Sequence, residues 1–217
     1  MNVTDLRRNL RNAGALRAGL DVGYRLTNKF TTFKILKTLN LTPRLLNPST
    51  QNGNGEFQHL FLDEAQLRFY AREPVNEMTN SFLDEALAKG DRCSAILLGK
   101  RLVNYVWCAR RATPLTHDLL FEFGSEWLYR YNAFTLPAYR GRRLQGWNTT
   151  MALQEAVKLG LKGFICYADV NNYSSLKSMY RCGYVDVGKM FMLRMSRTYW
   201  IHVDPECRPY GLNLKPL

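Results

Sequence analysis

The chain has 217 residues, 46% hydrophobic and 22% charged, with a formal net charge of +12 at pH 7. That length suits one domain with a sizeable core, and no run approaches the roughly 18 consecutive apolar residues that a membrane-spanning helix needs. The five cysteines are odd in number and form no CxxC pair, and the three histidines lie far apart. A disulfide framework and a zinc site are both disfavoured, and a reducing, cytoplasmic setting is expected.

The charge is concentrated at the start. Residues 1–45 hold nine Lys or Arg against two Asp, a net of +7, which leaves about +5 for the remainder. Leu6, Leu10, Ala13, Leu16 and Leu20 recur at steps of three and four, which predicts an amphipathic helix capped by Asn2–Thr4. The stretch has no apolar core of the secretory kind. Its Arg-rich, acid-poor composition would also suit a mitochondrial transit peptide, but a native helix is the first reading. Phe30, Phe33, Ile35, Leu36 and Leu39 form a second apolar patch among Lys29, Lys34 and Lys37. Residues 1–45 are therefore expected to be a basic helical segment, serving as a membrane-surface element, a lid or a core-packing helix pair. Its charge would suit an anionic membrane surface or an acidic carrier protein. Nucleic acid is disfavoured, because no binding motif accompanies the charge.

Residues 42–56, rich in Pro, Asn, Gly and Ser, read as a linker into a domain covering 46–217. Asp63–Tyr70 and Asn76–Lys89 read as helices, the second stopped by Gly90. CSAILLG and LVNYVWCARR read as a β-hairpin turning at Lys100 and Arg101, and HDLLFEFG as a further strand or connecting loop. EWLYRYNAFTL reads as a long strand ending at Pro137, and Gln145–Leu159 as a helix closed by Gly160. GFICYADV is a short apolar strand, Ser174–Cys182 a helix stopped by Gly183, and YVDVGKMFMLRMS and TYWIHV are closing strands. An antiparallel meander followed by alternating strands and helices predicts a mixed α/β sheet.

The most informative stretch is FTLPAYRGRRLQGW, Phe134–Trp147. Arg140, Arg142, Arg143 and the nearby Arg130 crowd around Gly141 where a strand gives way to a helix. Free backbone N–H groups and the helix dipole make such a terminus an anion site, and arginines add bidentate donors. The stretch reads as a polyphosphate site or as a solvated basic turn.

The run Thr135-Leu136-Pro137-Ala138-Tyr139-Arg140-Gly141-Arg142 resembles the acetyl-CoA signature of the GNAT N-acetyltransferase superfamily, V-x-P-x-[YF]-R-G-[KR]-G-[IL]-G. Asn172-Tyr173-Ser174-Ser175 with Gly183-Tyr184 resembles the later N-x-x-[AS]…G-[FY] segment. The resemblance covers roughly residues 91–196. It implies a mostly antiparallel twisted sheet with a splayed central strand and flanking helices. It also implies that Phe134, Thr135 and Leu136 offer backbone groups to the pantetheine arm. Amides from Arg140 through Gly141, Arg142, Arg143, Leu144, Gln145 and Gly146 would cradle the pyrophosphate. Asn172 would touch the cofactor near the thioester or the pantetheine, with Ser175 on the helix beside it. The implied reaction moves an acyl group from acetyl-CoA or another acyl-CoA directly to a primary amine of a small molecule or amino sugar, without a metal. A carrier-protein-dependent N-acyltransferase and a non-catalytic CoA-binding module are the competing readings. The pattern departs where Arg143 and Gln145 replace glycines, and where Met179 takes the place of the acid tyrosine. Tyr180, one residue later, is the candidate acid. Glu126 is the candidate base, ahead of Glu122 and His117.

Overall fold

The computed structural model describes residues 23–24, 31–50, 55–195 and 198–217. The helix expected over residues 6–20 lies outside these, and with it six of the nine Lys or Arg proposed to meet a membrane or a carrier protein; Lys34 and Lys37 pair with Asp169 and Asp186. Eleven strands and four α-helices make up the described fold. The strands are β1 (Phe33–Leu41), β2 (Phe57–Leu62), β3 (Arg92–Leu98), β4 (Arg101–Ala109), β5 (Thr113–Thr116), β6 (Leu119–Glu122), β7 (Trp127–Thr135), β8 (Gly163–Asp169), β9 (Val185–Met195), β10 (Thr198–Val203) and β11 (Asn213–Pro216). The helices are α1 (Glu64–Ala71), α2 (Asn80–Ala88), α3 (Leu144–Lys158) and α4 (Tyr173–Cys182).

One sheet runs in the order β10-β9-β1-β8-β7-β4-β3-β2, and a small sheet in the order β11-β6-β5. Every pairing in the large sheet is antiparallel except β7 with β8, which are parallel. The β3–β4 hairpin turns at Gly99–Lys100, one residue before the expected corner, with Arg101 already in β4 opposite Leu98, and α3, β8, α4, β9 and β10 lie where the sequence placed them, to within a residue or two.

The N-terminal expectation is corrected at β1. Phe33–Leu41 is a strand within the large sheet, hydrogen-bonded to β8 on one side and β9 on the other, not part of a helical segment. Apolar residues at 33, 36 and 39 imitate helical spacing. The strand is central, however, and its last four residues are all buried, so the alternation that marks a half-buried strand disappears. The sheet thus begins before residue 45. Strands β2, β5 and β11 were also not anticipated; the last two are only four residues each.

Alternation along β4 sorts the layers. Cys108 packs with Ala152, Leu153 and Leu176 beneath α3 and α4. Tyr105 and Trp107 point the other way, into a cluster with Leu67 and Leu83 of α1 and α2. On that second face the small sheet packs Leu119, Phe121 and Leu214 against Ile165 and Met190. Gly183 ends α4 at φ 101°, where a Cβ would come within 2.0 Å of the Leu45 carbonyl oxygen, so the residue is glycine for both reasons.

Candidate active site

β7 and β8 pair only over Trp127–Tyr129 and Gly163–Ile165, then separate. β7 is also bulged: Tyr105 of β4 faces Phe134 and Trp107 faces Tyr131, so Asn132 and Ala133 together oppose Val106. Asn132 takes the left-handed conformation at φ 47°. The separation opens a cavity of about 300 Å³. Arg130, Cys166 and Ala168 line it from the α3/α4 face, with Gln145 and Thr149 of α3 and Ser175, Ser178 and Met179 of α4. Tyr131, Tyr167 and Asp169 line it from the opposite face. The cavity is therefore a slot through the sheet, open to both layers.

At the slot's upper end lies the start of α3. Three of the four helices carry a side-chain N-cap, from Asp63, Thr79 and Asn172, but Arg143 offers none to α3. The amides of Leu144 and Gln145 have no partner among the described residues. Gly141 has φ 83° and Arg143 φ 59°. Arg143 thus keeps the backbone shape that a glycine would adopt freely, at a cost of about 1 kcal/mol. Arg140, Gly141, Arg142 and Arg143 are exposed. The Arg140 Nε donates to the Thr135 carbonyl at 3.2 Å, and the Arg142 guanidinium lies 5.2 Å from the Tyr139 ring. The turn thus presents backbone amides and three cations to solvent beside the slot.

The predicted site residues divide into three groups. Gln145, Asn172 and Ser175 meet in the slot. Asn172 also caps α4, its Oδ1 accepting from the Ser175 amide at 3.2 Å. The strand-end backbone is partly committed elsewhere. The Leu136 N–H donates to the Val103 carbonyl at 2.9 Å, and the Phe134 carbonyl accepts from Asn104 Nδ2 at 2.7 Å. The β7 residues that line the slot are instead Arg130 and Tyr131 and, at the bulge, Asn132 and Ala133. Gly146 is corrected from phosphate cradle to packing residue: its amide closes on the Arg143 carbonyl at 3.0 Å, and a Cβ there would come within 2.9 Å of Thr50 Cγ2. Leu144 is buried against Ile96 and Val103.

Both catalytic candidates lie outside the slot. Glu126 precedes the closed end of β7, six residues or about 20 Å of strand from the bulge. Its Oε1 pairs with Lys162 Nζ at 2.7 Å. Tyr180 is 41% exposed; its hydroxyl donates to Asp186 at 2.6 Å and accepts from Lys37 at 2.8 Å. One helical step of about 100° turns Tyr180 out of the slot and Met179 into it. Glu122 accepts from Asn213 at 3.2 Å, and His117 lies beside Asp118 at 3.5 Å, both away from the slot. Among the described residues the one carboxylate lining the slot is Asp169, held by Lys34 at 3.2 Å and by the Tyr24 hydroxyl at 3.0 Å. Burial pushes the phenols of Tyr184, Tyr131 and Tyr167 up, so the slot's tyrosines stay protonated at neutral pH.

Sequence reasoning missed a buried polar network under α3. His59 Nε2 meets Ser94 Oγ at 2.8 Å, and Ser94 Oγ donates to Asn148 Oδ1 at 2.8 Å. Asn148 Nδ2 donates to Asn104 Oδ1 at 2.8 Å, and Asn104 Nδ2 donates to Gln145 Oε1 at 2.8 Å. The network fixes the first turns of α3 against the sheet. The Gln145 side chain, in the place of a motif glycine, is one of its members. Arg130, grouped by sequence with the arginines of the turn, is buried in the same layer: its guanidinium donates to Thr149 Oγ1 at 2.5 Å and Asn148 Oδ1 at 3.3 Å. Among the described residues no helix is long and apolar enough to cross a membrane, and no cluster of three or more His, Cys, Asp or Glu could hold a metal.

No family model and no curated protein matches the sequence. Solved structures do match the fold. A functionally unknown conserved protein from Staphylococcus epidermidis aligns with TM-score 0.53 at 10% identity, over 80% of this chain and 66% of its own. A GCN5-related N-acetyltransferase-like protein from Streptococcus suis aligns with TM-score 0.51 at 14% identity, over 82% and 68%. A GCN5-related N-acetyltransferase from Kribbella flavida aligns with TM-score 0.50 at 13% identity, over 83% and 63%. The chain thus spans about two thirds of the length of these neighbours. Its fold is that of the GCN5-related N-acetyltransferases, as the motifs implied.

Proposed function

We propose that the protein is a GNAT-type N-acyltransferase that takes its acyl group from acyl-CoA and delivers it to a primary amine on a small molecule. The observation that carries this is the slot through the sheet, which opens beside the uncapped N-terminus of α3. A thioester donor fits the α3/α4 face, with its pyrophosphate on the Leu144 and Gln145 amides and among Arg140, Arg142 and Arg143. The pantetheine arm would pass Asn172 and Ser175. The bulge at Asn132 and Ala133, where the β4 ladder is interrupted, suits the thioester carbonyl.

The amine would enter from the opposite face, between Tyr131 and Tyr167. Its lone pair attacks the thioester carbon, a C–N bond forms and the C–S bond breaks. Asp169 is the carboxylate placed to take the amine proton, directly or through water, in the role first given to Glu126. Met179 has no proton to give, so the thiolate leaves with its electron pair and is protonated by solvent. Direct transfer suits a slot open on both faces, because each substrate reaches the reacting carbon from its own side.

Calorimetric titration with CoA and acetyl-CoA tests this reading. Binding that weakens in Arg140→Ala and Arg143→Ala supports it. Absence of binding by either ligand sinks it.

A further inference from the structure

Arg130 is 5% exposed, yet it is the one cationic side chain lining the slot among the described residues. It has no ion-pair partner among them. Asp169, the slot's carboxylate, is held instead by Lys34 and Tyr24. Thr149 and Asn148 satisfy the two terminal nitrogens in part, the Tyr184 hydroxyl and the Cys108 thiol interact with the guanidinium, and the Phe164 ring lies 4.9 Å from its carbon, none of them an anion at neutral pH. Nε is buried with no hydrogen-bond partner. A guanidinium keeps its charge in proteins, and a buried charge with a vacant donor is costly unless an anion joins it. Nε itself is shielded, so a carboxylate entering from the slot would meet the guanidinium at a terminal nitrogen, as a charge-assisted hydrogen bond.

The position of Arg130 says which part of a ligand that anion would be. Arg130 follows Tyr129, the last β7 residue paired with β8, so it stands at the apex of the slot. The bulge proposed to receive the thioester carbonyl begins two residues later, about 7 Å along the strand. Arg130 also lies on the α3/α4 face, the donor's side, with Cys166 and Ala168, rather than with Tyr131 and Tyr167. The group that reaches the apex is the far end of the transferred acyl chain.

We propose that the acyl donor is a short dicarboxylic acyl thioester of the malonyl, succinyl or glutaryl kind, and that Arg130 binds its terminal carboxylate. This rests on the reading of the slot as a thioester site. Acetyl-CoA would bind but leave the apex and its cation unmatched.

Calorimetric titration of the full chain with succinyl-CoA and with butyryl-CoA tests the proposal, because the two acyl groups match in length and differ in the terminal charge. The expected result is at least tenfold tighter binding of succinyl-CoA, a preference lost in Arg130→Met while butyryl-CoA binding persists. Arg130→Lys, which keeps the charge with fewer donors, should retain only part of the preference. If Arg130→Met does not fold by circular dichroism, the wild-type comparison decides alone. Equal affinity for the two thioesters, or a preference that survives in a folded Arg130→Met, overturns the proposal and leaves the thioester site standing. If neither thioester nor CoA binds, the site reading falls and the proposal falls with it.

Discussion

Four arginines within fourteen residues meet opposite fates. Arg140, Arg142 and Arg143 stand in water at the start of α3, whereas Arg130 lies 5% exposed at the apex of the slot. In water a cation is well solvated, its attraction for an anion is screened by salt, and its loss is cheap to the fold. In the interior the same group keeps its charge, has no bulk water to solvate it, and must be held by a polar network. In the proposed function the exposed three would strengthen the hold on a highly charged ligand, and the buried one would read what an acyl chain ends in. Charge counted along a sequence does not separate these roles, but burial does.

The sharpest way to break the buried side of this contrast is at Asn148, which is fully buried and bridges Ser94, Asn104 and Arg130. Asn148→Leu strands several buried polar groups at once. Chemical denaturation should show a loss of about 3 kcal/mol or more. A loss below about 1 kcal/mol would mean that the network does not hold Arg130 in place.

His59, at the far end of the same network, gives a smaller and pH-dependent effect. Burial, followed by the charge of Arg130, pushes its imidazole down to about 4 from 6.5. The folded state resists protonation and the unfolded state does not. Stability should therefore be full above pH 6.5 and fall as pH drops from 6.5 toward 4, by about 1 kcal/mol once screening at this partly exposed ring is allowed for. Melting temperatures measured across that window should decline, and His59→Gln should flatten the decline.

On the exposed side, Arg140→Ala with Arg143→Ala should change stability by no more than about 0.5 kcal/mol, yet weaken CoA binding about tenfold at low salt. The tenfold gap should narrow as salt is raised. A gap indifferent to salt would place these arginines in a drier site than their exposure indicates. The smallest effects belong to the two displaced candidates. Tyr180→Phe and Glu126→Gln should each change the turnover of a thioester and amine pair less than about twofold, because both side chains are tied to partners outside the slot.

Elements with a complete local signature were legible in the sequence. α3 and α4 end at glycine stops, and the β3–β4 corner is a tight turn at Gly99–Lys100. β1 was not legible, because a strand covered on both faces loses its alternation, and apolar residues at 33, 36 and 39 then look helical. The strand-to-helix turn at Arg140–Arg143 and the Asn172 cap of α4 were readable from short motifs as local structure, because backbone conformation and capping there depend on neighbouring residues. The catalytic candidates were not. Whether Met179 or Tyr180 faces the slot depends on how α4 is rotated against the sheet, and Glu126 was placed by strand identity without knowing at which end the strands part. Arg130 was seen but misplaced, since nothing local distinguishes a buried arginine from a solvated one.

The central claim is that a CoA thioester occupies the gap between β7 and β8. Amide hydrogen exchange with and without acetyl-CoA tests it most directly. The account predicts slowed exchange at Asn132–Ala133 and at Leu144–Gln145, with β2 and β10 unchanged. Binding without protection at the bulge, or protection confined to another surface, would contradict it.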